Sequence, residues 1–164
     1  MEHQHPNRPP RLSNVFKKFD PPLYFITCCT FDRKPLLDND RFHDHFVKLM
    51  TRKYHDGIVC GEYVIMPDHL HFFLRIDPNR YTLGKTIGFL KQSLSKPLRD
   101  IGVAQPHWQP GFFDHILRSA NSYSEKWDYV SNNPMRAGLV QRANDWKYQG
   151  NPAVPQPALL VIAG

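Results

Sequence analysis

The sequence predicts an α+β domain, an antiparallel sheet of about four or five strands covered by helices. Three observations point to it. Short runs rich in aromatic and β-branched residues take turns with amphipathic helical segments, in the order strand, helix, hairpin, helix, strand, helix. Two of the strand-like runs are joined by Pro67-Asp68, a tight-turn pair that makes them antiparallel neighbours. Neither a Gly-rich phosphate loop nor a nucleophile elbow is present, so a doubly wound sheet is not expected.

Each element has its own signal. "LYFITCCTF" (23 to 31) is short and β-prone and reads as the first strand. "DNDRFHDHFVKLMTRKY" carries Phe42, Phe46 and Leu49 at helical spacing behind Asp and Asn caps. "GIVCGEYVIM" and "HLHFFLRI" form the hairpin, with two histidines opening its second strand. "TLGKTIGFLKQSLSKPLRD" places Leu83, Ile87, Leu90, Leu94 and Leu98 on one stripe and Lys85, Lys91 and Arg99 off it, the pattern of an amphipathic helix. "HWQPGFFDHILR" holds another short strand. "NSYSEKWDYVSNNP" is a last helix, opened by Ser122 with Glu125 three residues later and closed by Pro134.

At 164 residues the chain fits one domain, expected over residues 23 to 150. The flanking residues 1 to 22 hold five of the fifteen prolines and read as an arm. The segment 151 to 164 reads as a proline-rich tail whose apolar end, Leu159 to Ile162, is expected to dock on the domain. Three cysteines, Cys28, Cys29 and Cys60, include an adjacent pair and no CxxC spacing, which argues against a disulfide framework and a zinc knuckle. With no signal-like apolar core and no bilayer-length apolar run, a soluble cytoplasmic protein without membrane contact is expected. Lysine and arginine number 21 against 15 acids, a formal charge of +6 that favours a polyanionic partner, nucleic acid above all.

Chemistry concentrates in two places. Side chains alternate across a strand, so His69, His71, Phe73 and Arg75 share one face, while Leu70, Phe72, Leu74 and Ile76 form a wholly apolar core face. The two imidazoles are then close enough to converge on one ion. The other seven histidines are read as structural. In the last helix, Tyr123, Trp127 and Val130 follow the core stripe, whereas Tyr129 lies on the polar side with Ser122, Lys126 and Asn133.

"MPDHLHFF", "WQPGFFDHILR" and "WDYVSNNPMRAGLV", in this order and at this spacing, resemble the REP-associated tyrosine transposases, within the HUH superfamily of single-strand DNA endonucleases. The resemblance spans roughly residues 23 to 148. It implies the ferredoxin-like palm of the HUH nucleases, with His69 and His71 binding a divalent metal around the hydrophobic Leu70. It also implies that Tyr129 attacks DNA and that Asn133 is the third ligand, where related insertion-sequence transposases usually carry glutamine. The activity implied is cleavage and rejoining of DNA through a 5′-phosphotyrosine. The substrate implied is single-stranded or hairpin DNA from palindromic repeats, which would associate the protein with the nucleoid. Related transposases pair the tyrosine of one subunit with the histidines of another, but members closer to this chain imply a monomer. Two neutral imidazoles and an amide oxygen leave positions open for water and phosphate oxygen, which suits Mg²⁺ or Mn²⁺. Arg75, Lys91, Lys96, Arg118, Lys126 and Arg136 are candidate phosphate contacts, and Trp108 and Phe112 candidate stacking platforms. Two other classes compete: a non-catalytic nucleic-acid-binding regulator on the same fold, and a hydrolase using H-x-H with water as nucleophile.

Overall fold

A computed structural model describes residues 21–152. Most of the expected arm, and the apolar end of the tail at Leu159 to Ile162, lie outside the described residues. The strands are β1 (Leu23–Cys29), β2 (Ile58–Ile65), β3 (His69–Ile76), β4 (Phe113–Leu117) and β5 (Gln149–Gly150). The helices are α1 (Asp40–Lys53), α2 (Leu83–Leu94), α3 (Lys96–Asp100), α4 (Ala120–Ser131) and α5 (Asn133–Arg136). The strands form one antiparallel sheet in the order β4-β1-β3-β2-β5, so the α+β expectation holds. No helix among the described residues is long and apolar enough to cross a membrane.

The apolar face of β3 builds the main core. Leu70, Phe72, Leu74 and Ile76 pack with Phe42, Phe46 and Leu49 of α1 and Ile87, Leu90 and Leu94 of α2. Asn39 caps α1 by accepting the Phe42 backbone N–H at 2.9 Å. On β2, Ile58 and Cys60 face this core, and so do Tyr63 and Ile65, although strict alternation would turn the second pair away. A register shift between Cys60 and Tyr63 supplies the extra residue that restores the phase.

The histidine face carries an apolar cluster of its own. Phe73, two residues beyond His71, meets Tyr123 at a ring separation of 4.6 Å and Trp127 at 6.2 Å. Leu23, Phe25, Val64, Met66, Leu117 and Val130 complete this second apolar cluster. The helix with the candidate nucleophile is thereby laid on the same sheet face as the histidines.

Several boundaries differ from expectation. The segment 82 to 100 is two helices, because Ser95 ends α2 and Pro97 sits in the first turn of α3, where its missing N–H costs nothing. The last helix starts earlier, with Ser119 as cap in a reciprocal box with Ser122. It also stops sooner, at Ser131, so Asn133 opens the separate turn α5 instead of continuing the tyrosine helix. The edge strand β5 has no periodic signal, being two residues long.

Candidate functional site

His69 and His71 project together from the start of β3, their ring centroids 4.6 Å apart and their planes at 79°. The hairpin is tight, with the Met66 N–H donating to the His69 carbonyl at 2.8 Å. Each imidazole is held through Nδ1. Nδ1 of His69 lies 2.7 Å from Asp68 Oδ1, and Nδ1 of His71 lies 2.8 Å from Thr27 Oγ1. Thr27 comes from β1, where the register places it opposite His71 and Cys29 opposite His69. With Nδ1 engaged in this way, Nε2 is the nitrogen that would face an ion, in the tautomer whose Nδ1–H donates to Asp68 or Thr27.

Asp68 is itself held by Arg33, whose Nε donates to Oδ2 at 3.0 Å. The same guanidinium donates from Nη1 to Cys29 Sγ at 2.9 Å and reaches within 3.4 Å of His69 Nδ1 through Nη2. Burial pushes the Asp68 carboxyl up, but hydrogen bonds from His69 and Arg33 outweigh it and hold the group below the usual carboxylate range. Burial likewise lowers His69, against the pull of Asp68. His71 is brought down to about 3, by burial first and then by the charges of His69, Lys126, Arg33 and Arg136. Both rings are therefore neutral near pH 7, the form that binds a metal.

Those charges tie α4 and α5 to the histidines. Lys126 Nζ lies 5.0 Å above the Phe25 ring, and Phe25 stacks on His71 at 5.2 Å. Tyr129, one turn on from Lys126, is 63% exposed while Tyr123 is 3% exposed, so the two tyrosines separate as predicted. The Arg136 guanidinium lies 4.0 Å from the Tyr129 ring, donates to the Tyr129 carbonyl at 2.6 Å and also donates to Asn133 Oδ1. Arg136 thus clamps Tyr129 and Asn133 together.

The histidine pair fits a divalent ion in chemistry, two imidazoles with ring centroids 4.6 Å apart. Among the described residues no group of three His, Cys, Asp or Glu side chains is placed to hold a metal. The Asn133 amide oxygen, the third ligand that the family resemblance implies, is occupied by Arg136.

Several other candidates are engaged within the protein. Lys91 Nζ donates to the carbonyls of Gln109, at 2.9 Å, and Gly111, so it tethers a loop. Lys96 pairs with Asp100 at 2.8 Å. Arg75 donates to the Pro21 carbonyl at 3.2 Å. The Trp108 indole donates to Lys91 O and Ser95 Oγ, and Trp108 and Phe112 both pack against the main core. Arg118 is exposed between β4 and α4. The structural reading of other histidines is supported: His43 bonds Tyr63 Oη at 2.7 Å, and His45 and His107 bond backbone carbonyls. Sequence reasoning missed Arg33 and Thr27, which meet the histidines and Asp68 only through the fold.

Comparison with known proteins gives a consistent assignment. The family described as IS200-like transposases matches residues 22–133. A Haemophilus influenzae protein named provisionally as a REP-associated tyrosine transposase is 24% identical over 140 residues, covering 77% of each chain. The REP-associated tyrosine transposase of Escherichia coli is 25% identical over 88 residues, which cover 52% of this chain and 50% of that one. Among solved structures, a REP-associated tyrosine transposase bound to a REP hairpin superposes with a TM-score of 0.65 at 20% identity, covering 82% of this chain and 80% of that one. At that identity it speaks for the fold.

Proposed function

The chain belongs to the IS200-like transposase family, and from that premise we propose that it cuts and rejoins single-stranded or hairpin DNA through a 5′-phosphotyrosine at Tyr129. The observation that carries this reading is the shared sheet face: α4 packs on the face of the sheet that bears His69 and His71, and it offers the exposed Tyr129.

His69 and His71 would hold Mg²⁺ or Mn²⁺ through Nε2, with Asn133 as a candidate third ligand. When bound, such an ion supplies Lewis-acid polarisation of a non-bridging phosphate oxygen. Asp68 and Thr27 orient the rings. Tyr129 Oη forms a bond to phosphorus as the bond from phosphorus to the 3′ oxygen breaks, and the phenolic proton is lost as the 3′-hydroxyl is formed. The phosphotyrosine keeps the energy of the phosphodiester, so a DNA 3′-hydroxyl reverses the step and rejoins strands without ATP.

The unit is read as a monomer. The partner DNA is read as a palindromic hairpin because the superposing transposase was solved with one. The test is incubation of purified protein and Mn²⁺ with single strands carrying palindromes from beside its own gene. A covalent adduct that maps to Tyr129 supports the reading. Hairpin binding without any adduct would leave the non-catalytic regulator.

A further inference from the structure

Beside the histidines lies a recess of about 200 Å³, walled by Thr27, Cys29 and residues 109–113. It shares its walls with the candidate metal site. Thr27 orients His71, and Cys29 accepts from Arg33, the residue that holds Asp68. We propose that this recess is a binding site for one unpaired nucleobase of the strand whose phosphate lies at the histidine pair. The proposal rests on the DNA-cleaving reading above and adds to it where a base next to the cut is held.

Size points to a base. Sites for drug-sized ligands occupy about 300–1,000 Å³, so a smaller recess accommodates a flat ring more readily than a whole nucleotide. Its chemistry agrees. Phe113 pairs with Thr27 across β4 and β1, so its ring stands on the histidine face, where it is 67% exposed. An aromatic ring left that open beside a basic site offers a stacking platform, and stacking accepts any base. Gln109 is among the lining residues, and its side chain has both donor and acceptor capacity, as base edges do.

The wall is also built in advance of any ligand. The Gln109 N–H donates to the Cys29 carbonyl at 2.9 Å, Lys91 holds the carbonyls of Gln109 and Gly111, and Trp108 is anchored on α2. A loop fixed at these points loses little freedom on binding.

The experiment measures affinity of the full-length protein, in EDTA, for a fluorescent oligothymidylate and for a strand of equal length made of abasic sites. Wild type is expected to favour the base-bearing strand by about tenfold. Phe113→Ala and Phe113→Leu should lose most of that preference with the abasic strand bound as before, and Phe113→Tyr should retain it. Photocrosslinking of a 5-iodouracil strand should map to residues 109–117. Equal wild-type affinity for the two strands, a preference untouched by Phe113→Ala, equal weakening on both strands, or crosslinks confined elsewhere would overturn the proposal. Because nothing is cut in EDTA, these outcomes are independent of whether Tyr129 forms an adduct. A base preference without an adduct refutes cleavage alone.

Discussion

Arg33 and Asp68, 35 residues apart in sequence, meet at 3.0 Å, and the other oxygen of the same carboxylate holds His69 at 2.7 Å. The contact is made from an unusual backbone. Asp32 and Arg33 both have φ of 54°, a left-handed conformation that costs on the order of 1–3 kcal/mol at a residue with a side chain. The turn that costs this energy aims a guanidinium at the support of a candidate metal ligand.

The first prediction follows from that support. Asp68→Ala should weaken Mn²⁺ binding by about 10–100-fold, because His69 loses the partner that sets its tautomer and orientation. Arg33→Ala, which also lifts a positive charge from the site, should change the affinity by less. Calorimetric titration with Mn²⁺ reads both, and an unaltered affinity in Asp68→Ala would remove the carboxylate from the site.

The two tyrosines of α4 should separate cleanly. Tyr129→Phe is expected to abolish the covalent adduct with DNA affinity within about twofold, since it removes a nucleophile and little surface. Tyr123→Phe should keep the adduct and lower stability by about 1–3 kcal/mol, because the Tyr123 hydroxyl donates to the buried carboxylate of Glu62. Adduct formation by Tyr129→Phe would point to another nucleophile.

Asn133 and Arg136 share an oxygen that the ion would also use. Asn133→Ala should raise the Mn²⁺ concentration needed for half-maximal adduct by about tenfold, the scale of one hydrogen-bond-strength contact. Asn133→Gln should restore it in part. Arg136→Ala frees the amide oxygen, so apparent metal affinity should rise while Tyr129, no longer clamped, reacts more slowly. If Asn133→Ala leaves the metal titration where it was, the third ligand lies elsewhere.

Glu62 makes a pH prediction. Burial raises its carboxyl pKa above the ordinary value of 4.5. A group raised on folding contributes stability that is present below the unfolded pKa and is lost as pH climbs through the folded one. Glu62→Gln keeps an acceptor for Tyr123 and removes the titration. Its thermal stability should therefore gain on wild type as pH rises above 4.5, and parallel melting curves across that range would contradict the assignment.

Salt dependence should sort the basic residues. Arg118→Ala, at an exposed site, should reduce the slope of log affinity against log salt for single strands by about 0.7, one phosphate contact. Lys91→Ala should leave the slope alone and instead loosen the 109–113 loop, seen as faster amide exchange there.

Most of the fold was legible because periodicity is local. The period of two in "HLHFFLRI" already put both histidines on one face, and the helical period of α4 already divided Tyr123 from Tyr129. Neither depends on where the chain goes next. Cap positions were less legible, since Ser119 and Ser122 are equally good caps in isolation and packing of Tyr123 and Trp127 on Phe73 decides where the helix begins. What only the tertiary structure decided is who stands beside the site. Thr27 reaches His71 through the register of β1 on β3, Arg33 reaches Asp68 through a left-handed turn, and Lys91 is drawn to a loop some twenty residues away. A sequence states which face a side chain takes. Which distant atom meets it there depends on strand register and loop closure, and these are set by the whole core at once.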